Sequence, residues 1–364
     1  MKRLSEAQVR ALWWRAQLLE PRHTLNDPAG IVRSVGAIQS QEPPAAALAL
    51  RARGGGFDAA EAERVRVEDR SVVRTWCQRG TIHLVATEDI NWILEVLRET
   101  LIAARASRWR NLELDETTYE EARRSLRKAL ADGPLTRAEI GERWQASGIH
   151  VAGQRLPHLI SRAAIDGEIC DGPDHGRDRT WVRLEDWVEP RSGPQGQQAL
   201  AELARRHLVG HGPAEPRDLA VWSGLKVSDA RAGWAQIADE LEELETPWGL
   251  RWTLARKERK RQLEPGANSG VVRLLGAFDA YLLGYKDREP AVPPPHTKAV
   301  SGSANLRVAA AAAVDGVVVG TWRMDKRAGA LEIRVAPFEE LDTSVFADEV
   351  EDIGRFLGRP ARLV

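Results

Sequence analysis

The sequence predicts an α+β protein made of three successive helix, helix, helix, hairpin units followed by a small β-barrel-like domain. Two patterns predict it: helical apolar spacing gives way to a strand pair three times, and beyond residue 262 short alternating strands take over. The length of 364 residues, roughly two to three average domains, leaves room for such an arrangement.

The first unit, residues 1–115, opens at Leu4-Ser5-Glu6 with Val9, Leu12, Trp13, Ala16 and Leu19 at helical spacing, and Pro21 ends that helix. A second helix runs from Asp27-Pro28 to Ile38, with proline in its allowed first turn. A third carries Ala45 to Arg53 into the Gly54-Gly55-Gly56 break, and Ser71 to Val85 forms a hairpin around Arg79-Gly80. This order is that of a winged helix. It recurs over 116–192, where Thr136 and Glu139 make a capping box and strands flank the polar loop 171–178, and again over 193–262. After the charged run Arg256 to Arg261 and the loop Glu264 to Gly270, residues 263–364 supply strands at Val271 to Leu275, Asn305 to Ala313, Gly316 to Arg323 and Ala330 to Val335. Asp315-Gly316 is the hairpin turn, and a helix from Ser344 to Leu357 closes the domain.

Composition narrows the function classes. Apolar residues at 43% and charged residues at 29% are ordinary globular values, which exclude a disordered or fibrous chain. Two distant cysteines, Cys77 and Cys170, argue against a disulfide framework or a four-ligand zinc site and point to a reducing cytoplasm. A charged start and the lack of a long apolar run argue against secretion and membrane insertion. With 52 basic against 53 acidic residues, the net charge of -1 announces no nucleic-acid partner, so local patches must be read instead. The paired histidines His207 and His211 have Leu208 where a zinc-protease motif needs glutamate, and no Walker loop, dinucleotide fingerprint or nucleophile elbow is present. The expectation is no metal and no cofactor.

The most informative stretch is Gln39-Ser40-Gln41-Glu42-Pro43. Proline at 43 disfavours helix at Glu42, so the segment is expected to be extended, and alternate side chains there share a side. Gln39 and Gln41 then reach one water together, or they are capping amides between two helices. Glu42 is the competing acid–base candidate. In the hairpin, Arg74 and Arg79 suit phosphate contacts, and Thr81 and His83 share a strand face; His83 is a second-rank catalytic candidate or an ordinary core histidine. On the second hairpin His175, Arg177 and Arg179 suit phosphate contacts, while Asp279, Tyr281, Lys286, Asp287 and Arg288 line the channel that the family resemblance given next implies, or form an ion network between domains.

Four blocks together resemble the AlkZ and YcaQ group of bacterial winged-helix DNA glycosylases: Gln39-Ser40-Gln41, 74–85, 277–288 and 314–323. The group's signature is glutamine, an aliphatic residue, then glutamine or aspartate; this chain has the glutamine form with Ser40 in the middle. The resemblance implies three tandem winged helices and a barrel enclosing a DNA channel. It implies release of N7-alkylated or crosslinked purines from double-stranded DNA by a monomeric glycosylase, with Gln39 and Gln41 as the catalytic pair. The alternative of another class is a non-enzymatic winged-helix transcriptional regulator.

Overall fold

Helix caps and turn residues set most element boundaries in the computed structural model, which describes residues 2–21, 25–189, 191–255, 270–302 and 307–364. The charged run 256–261, the loop 264–269 and the start of the strand expected at 305 lie outside the described residues. A short strand β1 (Lys2–Arg3) precedes α1 (Glu6–Ala16), which opens on a capping box of Ser5 and Gln8. The first unit continues with α2 (Pro28–Val35), β2 (Ile38–Gln39), α3 (Pro43–Arg53), α4 (Ala59–Val67), β3 (Val72–Trp76) and β4 (Ile82–Ala86). Helix α4 is an addition to the sequence reading. The glycine run before it reads as a linker, yet Asp58 and Glu61 form a capping box just beyond.

The long α5 (Ile90–Asn111) leads to α6 (Glu116–Ala129), β5 (Leu135–Thr136), α7 (Arg137–Ala146), α8 (Arg155–Ile165), β6 (Ile169–Asp171), β7 (Thr180–Arg183) and α9 (Leu184–Trp187). The next stretch holds α10 (Gly196–His211), α11 (Pro216–Ser223), α12 (Val227–Gln236), β8 (Leu241–Thr246) and β9 (Gly249–Leu254). The C-terminal region contains β10 (Val272–Leu275), α13 (Ala280–Leu283), α14 (Thr297–Ser301), β11 (Ala311–Val314), β12 (Val317–Arg327), β13 (Ala330–Pro337), α15 (Ala347–Leu357) and β14 (Ala361–Leu363). The fold is therefore mixed α+β.

Three small sheets have the orders β2-β4-β3, β5-β7-β6 and β1-β8-β9, and the C-terminal sheet runs β10-β11-β12-β13-β14. The domain expected to be barrel-like is a half-barrel, a five-stranded sheet with β10 and β14 at its edges among the described residues. Helix α15 covers it, packing Val350 and Ile353 onto Leu274, Ile333 and Trp322. The Asp315-Gly316 turn has positive φ at both residues, 49° and 85°, the twist that a two-residue hairpin requires.

Packing departs from the linear order at the start of the chain. Val9, Trp13 and Trp14 join Tyr281, Tyr285 and Val318 in one buried cluster, and Trp13 stacks on Tyr285 at 3.8 Å between ring centroids. The first unit's three helices are thus α2, α3 and α4, while α1 packs against C-terminal residues. A larger cluster wedges Val73 and Val85 of the first hairpin between α5 and the helices α10, α11 and α12.

His207 and His211 lie fully buried one turn apart on α10, with parallel rings 4.8 Å between centroids. Burial pushes His207 down to about 4, and burial together with His207 itself puts His211 well below the ordinary histidine value of 6.5. Both are neutral in the folded state, whereas the unfolded chain takes up these protons near pH 6.5. Stability held in full above that pH is therefore lost as pH falls toward 4. The melting temperature should drop steadily between pH 7.5 and 5, and a flat profile over that range would contradict this burial.

Candidate active site

The glutamine segment is placed by its two flanking helices. Gly36 caps α2, and Pro43 in the first turn of α3 leaves Glu42 extended at φ -113° and ψ 98°. Between them β2 pairs antiparallel with β4, setting Ile38 opposite Leu84 and Gln39 opposite His83. The Ser40 amide extends the ladder to the Ile82 carbonyl at 2.7 Å. Cross-strand partners project to one face, so Gln39 and His83 are neighbours by register.

Arg79 organises that face. It occupies the hairpin turn in the left-handed region at φ 54°, and its Nη2 donates to Gln39 Oε1 at 2.9 Å and lies 3.2 Å from His83 Nε2. Its Nη1 donates to the carbonyl of Trp222 at the end of α11. The chain turns there at Gly224, with φ 88°; a β-carbon would sit 3.0 Å from the Arg79 backbone, so only glycine permits this approach. Burial, then the charge of Arg288, lowers the Arg79 guanidinium to about 10, still cationic at neutral pH.

His83 does not behave as a proton carrier. Nδ1 donates to the Thr81 carbonyl at 3.0 Å, which leaves Nε2 to accept from Arg79. Burial, reinforced by Arg79, pushes its pKa down to about 3. The second-rank catalytic role read for His83 gives way to that of a neutral acceptor orienting Arg79.

The two glutamines are anchored separately. Gln39 is buried and held by Arg79, whereas Gln41 is exposed and its Oε1 accepts from the Ile82 amide at 3.3 Å. Both partners are donors, so both amides must present oxygen to them, and the amide orientation is fixed by chemistry. Each oxygen keeps a second lone pair and each amide nitrogen its two hydrogens for a ligand. Glu42 is exposed beside Arg307, with 3.8 Å between Oε1 and Nη2, and takes no part in either anchor.

Several residues expected at DNA have structural partners instead. Arg74 is only 2% exposed and pairs with Asp171 at 2.6 Å and Asp174 at 3.0 Å, tying the first hairpin to the second. Asp171 also takes the guanidinium of Arg179, which remains partly exposed. Thr81 donates its hydroxyl to Gln78 within the turn. Asp279 is fully buried, accepts two hydrogen bonds from Arg53 at 2.6 and 2.9 Å and caps α13, and Tyr281 is buried with its hydroxyl on the Gly316 carbonyl at 2.7 Å. A charge with no near sequence partner reads as solvent-facing, which is why these were missed. Arg177 and Lys286 are exposed; Arg288 is partly buried, bonded to Ser301 at 2.9 Å and close enough to lower Arg79. The carbonyl of Trp222 and the approach of Gly224 escape sequence reading altogether, since backbone contacts leave no side-chain signature.

With this geometry in view, a family model described as DNA glycosylase AlkZ-like matches residues 32–356. The chain belongs to the AlkZ-like DNA glycosylase family. It is similar to an interstrand DNA cross-link repair glycosylase of Streptomyces sahachiroi, with 28% identity over 383 residues covering 98% of each chain. The solved structure of Streptomyces sahachiroi DNA glycosylase AlkZ superposes with a TM-score of 0.83 at 25% identity, covering 100% of both chains. As a member of the AlkZ-like family this protein is a DNA glycosylase, a hydrolase of the N-glycosidic bond, and the transcriptional-regulator alternative falls away. No described helix is long and apolar enough to cross a membrane.

Proposed function

We propose that this AlkZ-like enzyme releases N7-alkylated and crosslinked purines, with Gln39 and Gln41 holding the water that replaces the base. The observation that carries the reading is the anchoring of both amides in fixed orientations on an extended segment, with lone pairs and N–H groups left for a ligand. The relative named for cross-link repair supports the substrate class. Alkylation at N7 makes the purine cationic and a good leaving group. As the bond from C1′ to N9 breaks, its electron pair goes to the departing base, which leaves neutral. The sugar becomes oxocarbenium-like, and the water oxygen bonds to C1′ while its proton passes to solvent. A strong base is unnecessary; fixed dipoles and position suffice.

The three hairpin-bearing units are read as winged helices around a DNA channel, supported by the strand between the first two helices in units one and two. Arg177, Arg179, Lys286 and Arg288 are proposed to contact the duplex, and the enzyme to act as a monomer in the cytoplasm. Arg177→Ala should weaken binding to damaged and undamaged duplex alike and lower the salt slope by about one counterion. Salt-independent binding would remove this role.

Purified protein incubated with duplexes carrying N7-methylguanine, a nitrogen-mustard crosslink or uracil tests the activity. Base release and abasic sites are expected from the first two substrates. Uracil should stay in place, since it departs as an anion and needs stronger electrostatic help than two amides give. Efficient uracil release, or none from either alkylated duplex, would overturn the mechanism.

A further inference from the structure

Three glycines let the third unit close onto the backbone that carries Gln39. Gly210 of α10 packs on the end of α2, where a β-carbon would lie 2.8 Å from the Val35 carbonyl oxygen. Gly36 caps α2 just before β2 and faces the indole of Trp222, and a β-carbon there would lie 3.0 Å from that ring. Gly224 caps α11, and a β-carbon on it would meet both the amide nitrogen and Cα of Arg79 at 3.0 Å. The corner of α11 from Trp222 to Gly224 therefore touches the glutamine segment on two sides, with a ring ahead of Gln39 and a backbone behind the turn that holds it. Interiors packed this closely pass on displacements of a few tenths of an ångström.

The contact at Arg79 carries the chemical consequence. The Trp222 carbonyl stands at the end of α11, where helix carbonyls lack partners within the helix and form the negative end of its dipole. Arg79 Nη1 donates to that carbonyl, and Nη2 of the same planar group donates to Gln39 Oε1 at 2.9 Å. A guanidinium is a rigid fork, so covalent geometry sets the reach from the helix end to the amide. We infer that the α11 corner positions the catalytic amide: Trp222 and Gly224 place Arg79, Arg79 places Gln39, and a corner of the third unit thereby controls the rate of base release. The inference rests on the catalytic reading of Gln39. An amide that holds the attacking water tolerates little error, since a misplacement of about 1 Å costs about 100-fold in rate.

The test measures single-turnover release of N7-methylguanine, duplex affinity and a melting curve for Gly224→Ala, Gly224→Asn and Arg79→Lys. The alanine adds a β-carbon against Arg79 at a φ of 88°. Release should slow about tenfold, with affinity within about twofold of wild type. Asparagine tolerates the left-handed conformation better but carries the same β-carbon, so Gly224→Asn should slow release as much while melting closer to wild type. Arg79→Lys keeps the charge, loses the fork and should slow release at least as much. Added to Gln39→Ala, none of the three should cause a further loss, because their effect runs through an amide already removed. Gly224→Asn releasing base at the wild-type rate, losses that multiply with that of Gln39→Ala, or a loss of affinity in place of rate would each overturn the positioning role. Gln39→Ala releasing base at the wild-type rate would instead overturn the catalytic reading, and the positioning role with it.

Discussion

Gln39→Ala and Gln41→Ala should each slow base release by about one to three orders of magnitude while leaving duplex affinity nearly unchanged. The two losses should differ in kind. Removing the Gln39 amide strips Arg79 of a buried acceptor, so that variant should also melt earlier, whereas Gln41 is exposed and its loss frees only the backbone amide of Ile82. Gln39→Glu is informative as well, because a carboxylate beside Arg79 would form an ion pair and draw the side chain onto the guanidinium. Single-turnover release rates with a melting curve for each variant separate chemistry from folding. Wild-type rates in both alanine variants would remove the assignment, and a large loss confined to Glu42→Ala would transfer it.

Asp279→Ala should be the most destabilising of the substitutions considered. Asp279 and Arg53 are both fully buried and joined by two hydrogen bonds, and Arg53 keeps only Gln17 and the Ala49 carbonyl when the carboxylate is gone. Removing one partner of a buried pair costs about 3–5 kcal/mol because the remaining charge is left uncompensated. For a chain of this size that is a fall in melting temperature of about 4–7 °C. DNA affinity of the folded protein should be unaffected. A variant that melts like wild type yet binds DNA poorly would return Asp279 to the DNA surface.

Sequence reading succeeded where the governing physics is local. The extended backbone at Glu42 follows from Pro43, the capping box from Thr136 and Glu139, and the tight turn from Asp315-Gly316; all are present. The pairing of the glutamine segment with a strand followed less directly, because β2 is only two residues long and takes its partner 44 residues on, from Gln39 to His83. The charged residues divide cleanly. Arg177, on a polar glycine-containing loop, is exposed as expected, but Arg74 and Asp279 are neutralised by partners 97 and 226 positions away. Nothing in the residues around Arg74 signals Asp171, so a buried charge and a solvated one look identical until the chain is folded.

The pairing of β1 with β8 has a consequence for how the chain reaches its native state. Lys2 and Arg3 lie parallel to Leu244 and Glu245, and Arg3 bonds to Glu245 across a separation of 242 residues. The tryptophans of α1 likewise find their aromatic partners far along the chain, Trp13 stacking on Tyr285 and Trp14 meeting Tyr281 edge-on. During synthesis this segment therefore emerges long before anything it can bury itself against, and waits as an exposed amphipathic helix while the intervening units collapse. Contacts of such long range are slow to form and leave apolar surface open to aggregation in the meantime. Docking of this segment, which clasps the third sheet to the C-terminal layer, can follow only once those partners exist. Refolding yield should depend on protein concentration until that clasp is made.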